Sequence, residues 1–203
     1  PLAHFERIEV LRGTSGARFG DAALGGVVNL VTPRGEEGTW GSLSLSQGLY
    51  TGNGSGTVAD MLQLGSAFGR GEEKWRFLGS VQGAWTNGEF LYEPDADLGL
   101  GTRDMRRRNN AYESIGTLLK GGYSLGETWE LYGLADVFAA DKEIPGLTSF
   151  PTPEASQEDR RLLLVAGSRA VLPDLGSLEV DGRVSVLAQR SDYRDPGGGT
   201  TGF

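Results

Sequence analysis

The sequence predicts an all-β protein, and within that class a transmembrane antiparallel β-barrel. Three observations predict it: stretches of period-two alternation after residue 38, tight polar turns that alternate with long loops, and the spacing of the tryptophans. The 33 glycines in 203 residues suit a fold rich in turns and close backbone approaches. No apolar run approaches the ~18 residues that a membrane-spanning helix needs.

The first elements lie within residues 5–34. Arg7-Ile8-Glu9-Val10-Leu11 alternates polar and apolar, as a half-buried strand does. Gly13, Gly16 and Gly20 break that strand, and residues 15–19 have room for one short helical turn at most. Gly25 and Gly26 lead into Val27-Val28-Asn29-Leu30-Val31, a β-branched run suited to a buried strand, which Pro33 ends. Any small α+β domain contains strand–turn–strand units of this kind. Such a domain does not explain the long series of alternating segments beyond residue 38.

Seven strands are expected there. Residues 40–48 place Leu43 and Leu45 opposite Ser42, Ser44 and Ser46. In 75–85, Trp75, Phe77, Val81 and Trp85 share one face, and Arg76, Ser80, Gln82 and Thr86 the other. In 178–188, Leu178, Val180, Val184 and Val186 oppose Glu179, Asp181, Arg183 and Ser185. Strands near 59–69, 111–123, 129–141 and 158–171 alternate less cleanly, and Leu162-Leu163-Leu164-Val165 fits no single-faced strand. A soluble sandwich gives the same period, so alternation alone does not decide between the two. A sandwich would bury the Trp75/Trp85 face against a second sheet.

Turns and tryptophans discriminate better. Tight polar turns fall at 70–74, 124–128 and 172–177, and longer segments at 90–110, 142–157 and from Ser191 onward. Short connections on one side and long loops on the other characterise a membrane barrel. Trp40, Trp75 and Trp129 each open a strand leaving the short-turn side, where a lipid-facing aromatic girdle is expected. Trp85 stands ten residues beyond Trp75 on the same face. At ~3.3 Å per residue and a tilt near 40° the rise is roughly 25 Å, the height of a lipid-facing band.

The remaining chemistry is sparse. With no cysteine and one histidine, His4, disulfides, thiol nucleophiles and multi-histidine zinc sites are excluded within the chain. Asp95, Asp97 and Asp104 have a faint likeness to an oxygen-rich calcium loop but lack the closing glutamate at the required spacing, so a solvated loop is expected and no metal. Arg106-Arg107-Arg108 reads either as a solvated charge run or as a partner for lipopolysaccharide phosphates. Residues 144–154 are proline-rich and read as a stiff loop, and Gly52-Asn53-Gly54-Ser55-Gly56 as a turn. Glu36-Glu37 and Glu72-Glu73 sit in turns, where they favour solubility. A net charge of −8 without a basic face disfavours nucleic acid. No hydrolytic or redox constellation is present, so neither an enzyme nor a cofactor is expected.

The run from Phe5 to Arg34 resembles the end of the plug domain of TonB-dependent outer-membrane receptors. The resemblance is carried by Glu6-Arg7-Ile8-Glu9-Val10-Leu11-Arg12-Gly13, Phe19-Gly20 and Ala23-Leu24-Gly25-Gly26-Val27-Val28-Asn29. Thr14 departs from the proline usual in that family. The resemblance implies plug-motif positions at Arg7, Glu9, Arg12, Gly13, Gly20, Gly25 and Gly26, and a lipid-facing girdle at Trp40, Trp75, Trp85 and Trp129. It divides the chain into the end of a plug (1–36) and the first strands of a large barrel (37–203), an interior piece of a longer protein. The implied function is energy-coupled uptake of a scarce nutrient, a ferric siderophore or cobalamin, across the Gram-negative outer membrane. The TonB complex would act through a segment upstream of Pro1, with Arg7 and Arg12 holding the plug by pairing with carboxylates. A passive porin or structural barrel, which lacks the plug motif, is the alternative.

Overall fold

The computed structural model describes residues 7–12, 26–31, 37–50, 60–92, 105–147, 151–173, 176 and 178–197. Among them the protein is all-β, with no α-helix. Its strands are β1 (Arg7–Arg12), β2 (Gly26–Val31), β3 (Gly38–Gly48), β4 (Met61–Gly71), β5 (Trp75–Thr86), β6 (Leu91–Tyr92), β7 (Met105–Arg106), β8 (Tyr112–Leu125), β9 (Trp129–Glu143), β10 (Ser156–Leu172) and β11 (Leu178–Arg194).

Seven of these form one antiparallel sheet in the order β3-β4-β5-β8-β9-β10-β11. Apart from the two-residue β6–β7 ladder inside one loop, each strand pairs with its neighbour in the chain, because tight turns leave the next strand no other place to go. At one edge, Glu72 and Trp75 exchange both backbone hydrogen bonds (2.8 and 3.3 Å) around Glu73-Lys74. Gly126 opens the turn to β9 at φ +73°, a left-handed conformation that favours glycine. Leu172 and Leu178, the paired ends of β10 and β11, lie at the same edge. The paired strand ends Gly48 and Met61, Thr86 and Tyr112, and Glu143 and Ser156 lie at the opposite edge, where the sequence predicts the long segments 90–110 and 142–157. Separately, β1 and β2 pair from Arg7↔Val31 to Arg12↔Gly26.

Register assigns every side chain of the large sheet to one of two faces. On the first lie Leu43, Leu64, Phe77, Val81, Ile115, Leu119, Val137, Leu162, Leu164, Val184 and Val186, together with Trp75, Trp85 and Trp129. No second sheet covers this face among the described residues; Leu43 is 78% exposed and Trp85 43%. A sandwich would have buried both. The second face carries Ser44, Arg76, Gln82, Asp136, Arg161, Asp181 and Arg183. It also holds a compact apolar patch in which Leu78 and Leu118 are 2% exposed. That patch resolves the Leu162–Val165 run: Leu162 and Leu164 belong to the apolar face, while Leu163 and Val165 join the patch level with Leu118 and Leu78.

Two expectations need correction. Trp40 does not share a face with Trp75, Trp85 and Trp129. It is in phase with Ser42 and Ser44 and lies over its cross-strand partner Gly69, whose missing side chain leaves room for the indole. A loop from Ser191 is also wrong, because β11 continues to Arg194, pairing residue for residue with β10 as far as Ser156.

Candidate functional site

The polar face is organised by cross-strand charge pairs. Nearest the short turns, Arg76 pairs with Glu130. Beside it, the Tyr132 hydroxyl donates to Asp181 Oδ1 (3.0 Å), and Arg169 Nε lies 3.1 Å from Glu179 and 3.4 Å from Asp181. Midway, Arg161 Nη2 donates to Asp136 Oδ1 at 2.9 Å. Towards the long loops, Lys142 Nζ meets Asp159 Oδ2 at 2.5 Å, while Ser191 and Gln157 donate to Asp159 Oδ1 at 2.6 and 2.8 Å. Partly solvated pairs of this kind add little stability each, ~0–1 kcal/mol. Collectively they make a wall that presents both signs of charge along its height, suited to a wet interior.

The apolar face has a definite outline. On β4 it runs from Leu62 to Phe68, between the charges of Asp60 and Arg70, with its midpoint at Gly65. Gly65 is level, through Gln82, Gly116 and Phe138, with Arg161 of β10. On β10, however, the apolar positions run from Leu162 to Leu172, with their midpoint at Gly167, six residues further along. Over four strand spacings, about 19 Å, the band therefore drifts about 20 Å along the strands, an obliquity near 45°. Trp75 and its partner Tyr123 mark its lower border, with Trp129 in the next row.

At the long-loop edge, side chains tie the connections together. Asp60, 2% exposed, accepts from Tyr50 N (2.7 Å) and Asn87 Nδ2 (3.0 Å). Tyr50 packs tilted on Phe90, with ring centroids 5.8 Å apart. Asn109, at φ +55°, directs its amide at the carbonyls of Ile144 (2.9 Å), Thr152 (2.5 Å) and Ala155 (3.0 Å). Arg107 donates to Gly146 O at 2.6 Å, so the middle of the arginine run braces a neighbouring loop. Sequence reading missed Asp60 and Asn109; the adjoining Asn87-Gly88 and Asn109-Asn110 pairs were the available turn signals.

The sequence-predicted positions are spread across the molecule. Arg7 and Glu9 pair within β1 (Nε–Oε1 2.8 Å) with side chains 54% and 36% exposed. Arg12 ends β1 opposite Gly26, the first residue of β2. Gly13, Gly20 and Gly25, and Asp95, Asp97 and Asp104, lie outside the described residues. Among the described residues no group of three or more acidic or histidine side chains is arranged to hold a metal.

No family model matches the chain. Short stretches do match known receptors. Over 45 residues, 22% of this chain, it is 49% identical to a ferric enterobactin receptor of Pseudomonas aeruginosa, covering 6% of that protein. Over 40 residues, 20% of the chain, it is 55% identical to the ferrienterobactin receptor of Escherichia coli K12, covering 5% of it. A second Pseudomonas aeruginosa ferric enterobactin receptor matches at 49% over 45 residues, again 22% of the chain and 6% of the relative. Locally, the chain is similar to siderophore receptors. The aligned stretches thus span only 5–6% of the length of these curated relatives.

Proposed function

We propose that this chain is part of a TonB-dependent outer-membrane receptor that imports a ferric siderophore, with 37–203 forming barrel strands and 1–36 the end of the plug. The local identity to ferric enterobactin receptors carries the substrate class. The oblique apolar band supports the membrane reading. Its slant is close to the 35–45° at which strands of outer-membrane barrels tilt, the drift that a flat lipid boundary crossing tilted strands produces. In this reading Trp75, Trp85 and Trp129 face lipid near its borders, the charge-paired face lines the lumen, and the short turns are periplasmic. Trp40, on the lumen side, is not part of the girdle.

Arg7, paired with Glu9, and Arg12 then belong to the plug, where TonB pull would loosen the contacts they make. The test is uptake of radiolabelled ferric enterobactin by a Gram-negative strain lacking its own receptors and expressing the full-length protein. Uptake that disappears without TonB is the expected result. TonB-independent leakage of small solutes would favour a passive porin, and uptake of cobalamin but no siderophore would move the substrate class. Arg12→Ala should lower uptake while leaving surface binding of ferric enterobactin nearly intact.

A further inference from the structure

The apolar patch interrupts the charge pairs of the second face. Leu78, Leu134 and Val165 stand in one row with Lys120, and Leu118 and Leu163 in the next row with Asp136. The centre of the patch is buried, and its flank, Leu163 and Val165, is half-buried. Ser80, the cross-strand partner of Leu118, is 8% exposed, and among the described residues its hydroxyl has no hydrogen-bond partner. A buried hydroxyl left unpaired is costly. The patch therefore calls for an occupant that brings apolar side chains and a polar group together. A hydrocarbon chain meets only the first requirement and a water molecule only the second. The edge of a β-strand meets both.

The β1–β2 pair has the matching surface. Val10 stands opposite Val28, Ile8 shares their face, and all three are exposed, while Arg7 and Glu9 pair on the other face. Among the described residues β1 and β2 form a sheet of two strands only, so the outer edge of each offers backbone groups. The chain is long enough to bring the surfaces together. Six residues separate Val31 from Gly38, a reach of about 25 Å when extended. From Gly38, Leu78 lies two strands across and two residues along, about 12 Å. Leu118 lies three strands across and four residues along, about 20 Å. A tether this short holds the two surfaces at high effective concentration.

We propose that the β1–β2 pair seats its Ile8, Val10 and Val28 face on the Leu78–Leu118–Leu163 patch, with Ser80 hydrogen-bonded to a backbone group at the edge of the pair. The result is an apolar catch between plug and wall. It rests on the reading above that places 1–36 inside the barrel, and it adds an apolar contact to those of Arg7 and Arg12. Burial of apolar surface is not screened by salt, so this contact holds where charge pairs would weaken.

The test uses the full-length protein in detergent micelles. A short bis-maleimide should join the cysteines of V10C/L163C and leave those of E9C/L163C and V10C/L162C unjoined. Hydrogen exchange across 7–12 should rise about fivefold or more in L163N and stay unchanged in high salt. Val10→Asn gives the same readout from the other side of the contact if L163N fails to fold. Ser80→Ala reads the hydroxyl by sign: exchange across 7–12 rises if the hydroxyl bonds the pair, and stays level or falls if it is an orphan. Equal joining of E9C and V10C to L163C, loosening by salt but not by the asparagine variants, or no rise in S80A would overturn the proposal. If V10C joins S44C on the same wall instead of L163C, the catch is wrong and the plug reading stands. If it joins neither, and 7–12 exchanges as fast as a free peptide, the plug reading falls with it.

Discussion

Arg161 donates to Asp136 across 2.9 Å while its guanidinium lies 5.4 Å from the Phe138 ring centre. Asp136 is 8% exposed and level with Leu118 and Leu163, so burial of its carboxylate beside apolar neighbours is costly without bonding partners. Removing the arginine alone takes away a charged partner of that buried carboxylate. Arg161→Leu should lower stability by ~1–3 kcal/mol, and adding Asp136→Leu should recover much of the loss. Denaturant midpoints of the full-length protein in micelles measure both. If the two losses simply add, the pair is not coupled in this way.

The two faces should respond oppositely to charge. Val184 lies mid-band on the apolar face, and Ser185 beside it faces the lumen in the proposed reading. Val184→Arg carries the ~2–4 kcal/mol penalty of a mid-plane cation on a lipid face, and Ser185→Arg does not. Heat-modifiable, folded protein in outer-membrane fractions should therefore fall sharply for the first variant and little for the second. Equal yields would mean that the faces are exchanged or that neither meets lipid.

Asn109 holds the 144–155 loop through its side chain and a left-handed backbone, and the two contributions can be separated. Asn109→Gly keeps the φ of +55° accessible and deletes only the amide. The lost bonds, ~1–3 kcal/mol together, should raise hydrogen exchange across 144–155 by about tenfold or more while β9 and β10 keep their protection. Unchanged exchange in that loop would show that the amide is not what anchors it.

Gly69 gives a steric prediction. A methyl group there would collide with the Trp40 indole, which lies across the glycine. Gly69→Ala should displace the ring and reduce assembly, and Gly69→Ala/Trp40→Ser should restore part of it. A single alanine variant that assembles normally would contradict the packing.

How much of this was legible depended on whether one face was apolar. β5 keeps Trp75, Phe77, Val81 and Trp85 on one face, and its boundaries, Trp75–Thr86, match those read from sequence almost to the residue. β11 was cut short because Arg190 to Arg194 is polar on both faces, so alternation vanishes while the hydrogen-bonded ladder continues. Leu162–Val165 was unreadable for the opposite reason, being apolar on both faces. For Trp40 the decisive signal is its phase with Ser42, not its place at the start of a strand. Asp60 and Asn109 were invisible because their partners lie 10 to 46 residues away.

The most direct measurement is site-directed spin labelling along β11 of the full-length protein in lipid vesicles, aided by the absence of cysteine from this chain. Labels at Val180, Val184 and Val186 should collide with dissolved oxygen and be shielded from a water-soluble nickel complex, while labels at Asp181, Arg183 and Ser185 show the reverse. The two accessibilities should thus oscillate out of phase with a period of two. Uniform access to the nickel complex at all six positions, or uniform shielding from both reagents, would contradict a lipid-facing barrel wall.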